Sequence, residues 1–286
     1  MTIESSDGFT LARGLDPTYP PNKILLLLLP ALFFISIGWS LLLGKNIPQS
    51  IIFSIIQILL VFLCWAIARE IDPDHDYAAF FGLALLFHPL VLGQGNILIL
   101  FWFIIALRLL NQTTGKQNTT TDLLFFIFLS VLAVILSSAV LLIILAIVII
   151  VLSSFLSLNR STDILLSIPL FPSFFLFYLI TPNPWTIILP SLSTILFITI
   201  ASVLLFLITV TTHQIQCTGD HSSHHLSVKR IQSTQIICLL SSLILSVFHG
   251  GILIIYPVWT AIIGIGIHRI ISLMIKRKKT TTFKST

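Results

Sequence analysis

The chain has 286 residues, of which 56% are hydrophobic and only 9% charged, with a mean hydropathy of +1.07. A soluble domain carries about 25% charged residues, so a water-soluble globular fold is excluded. The net charge of +5 is no argument for a nucleic-acid partner, because the basic residues sit at helix ends and in the tail.

At about 20 apolar residues per spanning helix, the length allows about ten spans and leaves little for a separate soluble domain. The expected fold is an all-α polytopic membrane protein of about nine to ten hydrophobic helices, forming one transmembrane domain over residues 1–286. Met1–Pro21 is polar and lacks an apolar core, so no cleavable signal peptide is expected. The apolar segments are predicted at Ile24–Gly44, Pro48–Ala68, Tyr77–Leu92, Ile97–Leu110, Leu123–Leu136, Ala139–Leu158, Asp163–Ile180, Trp185–Thr211, Ile231–Phe248 and Gly251–Ile275. Two longer apolar stretches read as hairpins, divided at Gly93-Gln94-Gly95-Asn96 and at Ser137-Ser138, because a single helix of over thirty residues would overshoot the bilayer. A His-rich loop at 212–230 and a basic tail at 276–286 complete the chain.

Alternating these segments sorts the fifteen lysines and arginines. All except Lys45 fall on one side, which the positive-inside rule makes cytoplasmic, together with the C-terminus. Arg13 and Lys23 join that side only if Ile24–Gly44 spans. Asn111, Asn118 and Asn159 stand in Asn-x-Ser/Thr sequences, but on the cytoplasmic side, where no glycan is expected. Cys64 and Cys238 lie in apolar runs and read as small core residues.

Four polar constellations interrupt the apolar pattern. Tyr19-Pro20-Pro21 precedes the first apolar segment, where paired prolines suit the first turn of a helix. Arg69-Glu70-Ile71-Asp72-Pro73-Asp74-His75-Asp76-Tyr77 has the residue types of a magnesium or zinc site. It equally reads as a structural turn, with Asp76 capping the helix that follows. Phe87-His88-Pro89 runs into Gly93-Gln94-Gly95-Asn96 between two apolar helices; Gln94 and Asn96 offer amide groups suited to sugar hydroxyls or phosphate oxygens, and His88 is a lone intramembrane imidazole that reads as bonding a neighbouring carbonyl rather than substrate. The plainer reading there is a tight turn capped by Asn96. His213, Cys217, Asp220, His221, His224 and His225 carry zinc-ligand groups at spacings that fit no standard finger, in a loop whose polarity reads as mobile. Arg108 and Arg269 lie near helix ends, where their side chains can snorkel to the interface.

The order Tyr19-Pro20-Pro21, an apolar helix with Pro30, Trp39, a second helix, a Pro89 bend and then Gly93-Gln94-x-Asn96 resembles the polyprenyl-phosphate-mannose-dependent mannosyltransferases of the GT-C glycosyltransferase class. The resemblance covers about residues 14–110. It implies transfer of a hexose, mannose-like, from a polyprenyl-phosphate donor on the non-cytoplasmic face, with Tyr19, His88, Gln94 and Asn96 binding substrate. It places Tyr19 outside, which favours a re-entrant first segment. The chain lacks the family's first helix and the acidic loop after it, which leaves Asp7 as the catalytic base by position. The alternative is a catalytically inactive, shortened relative that binds lipid or a partner helix. No cofactor is required by the sequence; a divalent metal is compatible with the lipid phosphate. The expected partners are membrane lipid and the polyprenyl-phosphate sugar donor, with no nucleic acid.

Overall fold

The computed structural model describes residues 10–11, 14–86, 95–157, 160–181, 190–220, 225–248 and 252–283, and at 160–163 and 276–283 the backbone alone. The chain is an all-α polytopic membrane protein. Among the described residues there is no strand, only an isolated bridge between Thr218 and His225. Six helices are long and apolar enough to cross a membrane, and three shorter apolar helices lie among them.

Helix α1 (Pro20–Leu42) starts on paired prolines, whose fixed φ and missing amides suit a first turn. Its 23 residues run unbroken through Pro30, about 34 Å at 1.5 Å per residue. That is enough for a hydrocarbon core about 30 Å thick, so the re-entrant first segment that the resemblance favours is corrected to a full helix. Helix α2 (Ile47–Ile71) follows a turn capped by Asn46, whose side chain accepts from the Gln49 amide. The α1–α2 pair contains the buried Ser36, Ser40, Ser50 and Ser54. Small side chains let two backbones approach where lipid supplies no hydrophobic drive.

The first predicted hairpin is described as α3 (Ala78–Leu86) and α4 (Ile97–Asn111); residues 87–94 between them lie outside the described residues. The second hairpin is seen as α5 (Thr120–Ser137) and α6 (Leu141–Leu156), with Ser138 in the left-handed conformation that ends α5. The segment predicted at Asp163–Ile180 is instead two helices, α7 (Arg160–Ser167) and α8 (Leu170–Ile180). Pro169 forms the break, because it has no amide to donate back into the preceding turn. Helices α9 (Leu192–Thr211), α10 (Val228–Phe248) and α11 (Tyr256–Phe283) close the bundle, the last entered through a 3₁₀ turn at Ile252–Ile255.

The core lies where α2, α3, α4, α5, α10 and α11 meet, around Trp102, Phe103, Phe126 and Trp259. Two buried indole N–H groups find a serine: Trp102 donates to Ser130 (2.9 Å) and Trp259 to Ser246 (3.0 Å). Outward faces stay apolar, with Phe34, Leu42, Phe175, Leu179 and Leu192 exposed, as a lipid-facing surface requires. Helices α3 and α11 touch backbone to backbone. A Cβ on Gly264 would sit 2.1 Å from the Gly82 nitrogen, whereas one on Gly38 meets nothing within 4 Å.

Gly264→Ala therefore forces α3 and α11 apart and costs about 1–3 kcal/mol, while Gly38→Ala leaves stability unchanged or slightly raised. Thermal unfolding of the two variants in detergent measures the contrast; equal midpoints would mean that the α3–α11 contact is looser than described.

Candidate functional site

One end of the bundle gathers most of the ionised groups among the described residues. The turn between α2 and α3 places Glu70, Asp72, Asp74 and Asp76 in succession, and each carboxylate is bound to a different part of the protein. Glu70, 1% exposed, accepts from Arg108 Nε (3.0 Å) and Asn111 Nδ2 (3.4 Å) on α4. Asp72, 2% exposed, accepts from Arg269 of α11 through Nε and Nη2 (3.0 and 3.1 Å), and pairs with His75 Nδ1 (3.0 Å). Asp74 accepts from the amides of Gln216 and Cys217 in the loop before α10. Asp76 takes Arg69 Nη2 at 2.9 Å and the Tyr19 hydroxyl at the start of α1.

Arg69 is the centre of this arrangement. Its guanidinium lies over the rings of Tyr19 (5.4 Å) and Trp65 (5.1 Å), donates to Asn22 Oδ1 (3.0 Å) and forms an ion pair with Asp76. The N-terminal segment is fastened to the same end. Thr10 gives its amide and hydroxyl to Asp122 (2.8 and 2.6 Å), and the Leu11 carbonyl accepts from Arg108 (3.0 Å).

Asp16, Tyr19 and Asp72 are shifted from their ordinary titration in this region, Asp16 downward by the bonds it accepts from Thr18. Burial pushes the Tyr19 hydroxyl up to about 12, reinforced by its bond to Asp76. Burial alone would raise Asp72, but the bonds from His75 and Arg269 outweigh it and hold the carboxyl below its ordinary range.

Between the start of α1, the end of α2 and the loop before α10 opens a cleft of about 710 Å³, lined by Leu15, Asp16, Tyr19, Asn22, Arg69 and Asp220, among others. Because Arg69 is neutralised by Asp76, the polar lining is dominated by oxygens and amides rather than by positive charge. Such a surface suits a neutral, hydroxylated group better than an anion.

A second hollow of about 520 Å³ lies at the opposite end, beside Gly95, Asn96 and Ile254. Asn96 caps α4, its Oδ1 accepting from the Leu98 and Ile99 amides (3.0 and 3.2 Å), and its own amide donates to the Ile254 carbonyl (2.9 Å). The capped turn read from the sequence is therefore present. The 15 residues of α4 put Asn96 about 20 Å along the axis from Asn111, which bonds Glu70. Tyr19 and Asn96 thus sit at opposite ends of the bundle, not in one site. Asp7, His88 and Gln94 lie outside the described residues.

Three other expectations are corrected by these contacts. Asp76 does not cap α3, since its carboxylate is taken by Arg69 and Tyr19. Arg108 and Arg269 do not snorkel to water but pair with Glu70 and Asp72. The His-rich loop is not loose where it is described: Asp74 holds Gln216 and Cys217, and the Asp220 amide donates to the Thr113 carbonyl (3.2 Å). No three His, Cys, Asp or Glu side chains among the described residues are grouped as metal ligands. Sequence reasoning left Asn22 and Arg69 out of the site. The available signal was an arginine beside a run of alternating carboxylates, which must pair if they are buried. No known protein family, curated protein or solved structure matches the chain.

Asp72→Asn removes the partner of Arg269 and is expected to cost about 3 kcal/mol, the lower end for a broken buried pair, since Arg269 is partly exposed. For the wild type, the depressed Asp72 pKa gives stability that is full above the ordinary value of 3.8 and is lost as pH falls through the still lower folded value. The raised Tyr19 pKa gives stability that fades from its ordinary 10.0 upward through about 12. Unfolding midpoints across pH, for wild type against Asp72→Asn and Tyr19→Phe, test both windows. An acid limb as steep in Asp72→Asn as in wild type would remove Asp72 from the account.

Proposed function

We propose that this chain is an integral membrane protein that binds a sugar-bearing lipid at its basic end and performs no sugar transfer. The basic end faces the cytoplasm, carrying Arg69, Arg108, Lys116, Arg230 and Arg269, and the C-terminus lies on that side. The observation that carries the reading is the separation of Tyr19 from Asn96. A transferase of the class that the sequence resembles needs one site on the non-cytoplasmic face, whereas here the two elements of the motif occupy opposite ends.

The cleft at the basic end supports lipid binding. It opens at the level where α1 enters the membrane, with Leu15 and Tyr19 beside Asp16, Asn22, Gln216, Thr218 and Asp220. Carboxylates and amides accept from and donate to hydroxyls, and an apolar tail would run along the exposed faces of α1 and α2. The sugar of a polyprenyl-phosphate sugar is a neutral, hydroxylated group of this chemistry.

A second reading, hexosyl transfer from a polyprenyl-phosphate donor, is favoured by one feature: the hollow beside Asn96 at the end away from the basic groups. The readings separate in one experiment. Purified protein in lipid nanodiscs, given labelled polyprenyl-phosphate-mannose, should retain the intact donor, and Asn22→Ala should weaken that retention by about tenfold, the worth of roughly 1.4 kcal/mol of lost hydrogen bonding. Release of labelled mannose or its appearance on an acceptor would establish transfer instead. Failure to retain the donor would remove the lipid-binding reading.

A further inference from the structure

The arginines at the basic end are not all treated alike. Arg69, Arg108 and Arg269 each face a carboxylate, Asp76, Glu70 and Asp72 respectively. Arg230, only 9% exposed, donates to the carbonyls of Leu110 (2.9 Å) and Leu156 (2.7 Å). No carboxylate among the described residues pairs with it. Carbonyl oxygens satisfy its protons but do not cancel its charge, and a buried charge is ordinarily paired.

Arg230 lines a hollow of about 170 Å³ between the α4–α5 connection and the start of α10. Three further features meet there. Ser227 immediately precedes α10 and Arg230 lies in its first turn, and the leading amides of this 21-residue helix have no partner within the helix. Gln112 lines the hollow, and its Nε2 is buried without a hydrogen-bond partner. Asn111, 1% exposed, lines it too, and its Oδ1 has no partner.

From this arrangement we infer that the hollow is a binding site for a phosphate monoester group. The guanidinium, the helix amides and Gln112 Nε2 are donors suited to phosphoryl oxygens. Asn111 Oδ1 is an acceptor, which a carboxylate, a sulfate or a phosphodiester leaves unsatisfied. A phosphate monoester has a second pKa near 6, so its monoanion keeps one P–OH to donate to Asn111 while its other oxygens face the donors. The volume is below the roughly 300 Å³ of sites that enclose whole small molecules, so the site takes a single headgroup or free phosphate rather than a sugar. It is separate from the cleft at Arg69 and does not depend on the lipid reading of that cleft.

The test uses the full chain in phosphatidylcholine nanodiscs, with two probes: inorganic phosphate and short-chain phosphatidic acid. Either should raise the unfolding midpoint and give saturable binding by titration calorimetry, with sulfate binding more weakly. Binding of both marks a site open to free phosphate, and binding of phosphatidic acid alone marks a lipid headgroup site. Gln112→Ala removes a donor that no protein group uses, so it should leave the unliganded midpoint in place and weaken phosphate binding about tenfold, the worth of one hydrogen bond to a charged group. Gln112→Glu offers Arg230 the missing counter-charge, so it should raise the unliganded midpoint and abolish the phosphate effect. The inference is overturned if neither probe moves the wild-type midpoint, or if both Gln112 variants bind phosphate as the wild type does.

Discussion

At the edge of a bilayer an ionised carboxylate without a partner costs several kcal/mol, and the turn from Arg69 to Tyr77 brings four of them into nine residues. That cost decides how this end of the molecule is built. Glu70 draws in α4 through Arg108, Asp72 draws in α11 through Arg269, Asp74 holds the loop before α10, and Asp76 holds α1 through Tyr19 and Arg69. Each pairing satisfies a charge and also fixes the position of a separate element. Lipid-facing helices gain little from one another's apolar surfaces, so a set of polar contacts at one end gives the bundle a defined arrangement that packing alone would specify weakly.

The same set determines what can happen at that end. Because Asp76 neutralises Arg69, the neighbouring cleft is polar without being strongly positive, and because Tyr19 is tied to the acid turn, it cannot share a site with Asn96. The opposite end is simpler: Asn96 is committed as a helix cap, and Lys45 lies over the Phe53 ring (4.1 Å). Binding chemistry therefore concentrates on the basic side. There the protein holds a cleft lined by carboxylates and amides at Arg69 and a donor-lined hollow at Arg230, and the two differ in kind because Arg69 has a carboxylate partner while no carboxylate among the described residues pairs with Arg230.

Much of the architecture was legible in the sequence. The apolar runs marked the spans, Ser137-Ser138 marked a turn, and Asn96 before Ile97 marked a cap. These are local signals, written in a few adjacent residues. The break at Pro169 was hidden because the residues on both sides are apolar, although proline after Ser167-Ile168 carried the information. The pairings were not legible. Asp72 with Arg269, and Thr10 with Asp122, are distant in the chain, and nothing local distinguishes Arg269 from an arginine that reaches for water. The resemblance of residues 14–110 to the mannosyltransferases depends on the order of short motifs, which is insensitive to which side of the membrane each occupies. The length of α1, not the motif, sets the side of Tyr19.

The crossing of the membrane by α1, with α2 bringing Arg69 back to the Tyr19 end, carries the rest. It is tested most directly by single cysteines at Thr18 and at Lys45, placed in sealed oriented vesicles of a chain whose Cys217 is replaced by serine. A membrane-impermeant thiol reagent should label one of the two positions in intact vesicles and the other only after the vesicles are opened. Labelling of both from the same side would contradict the account.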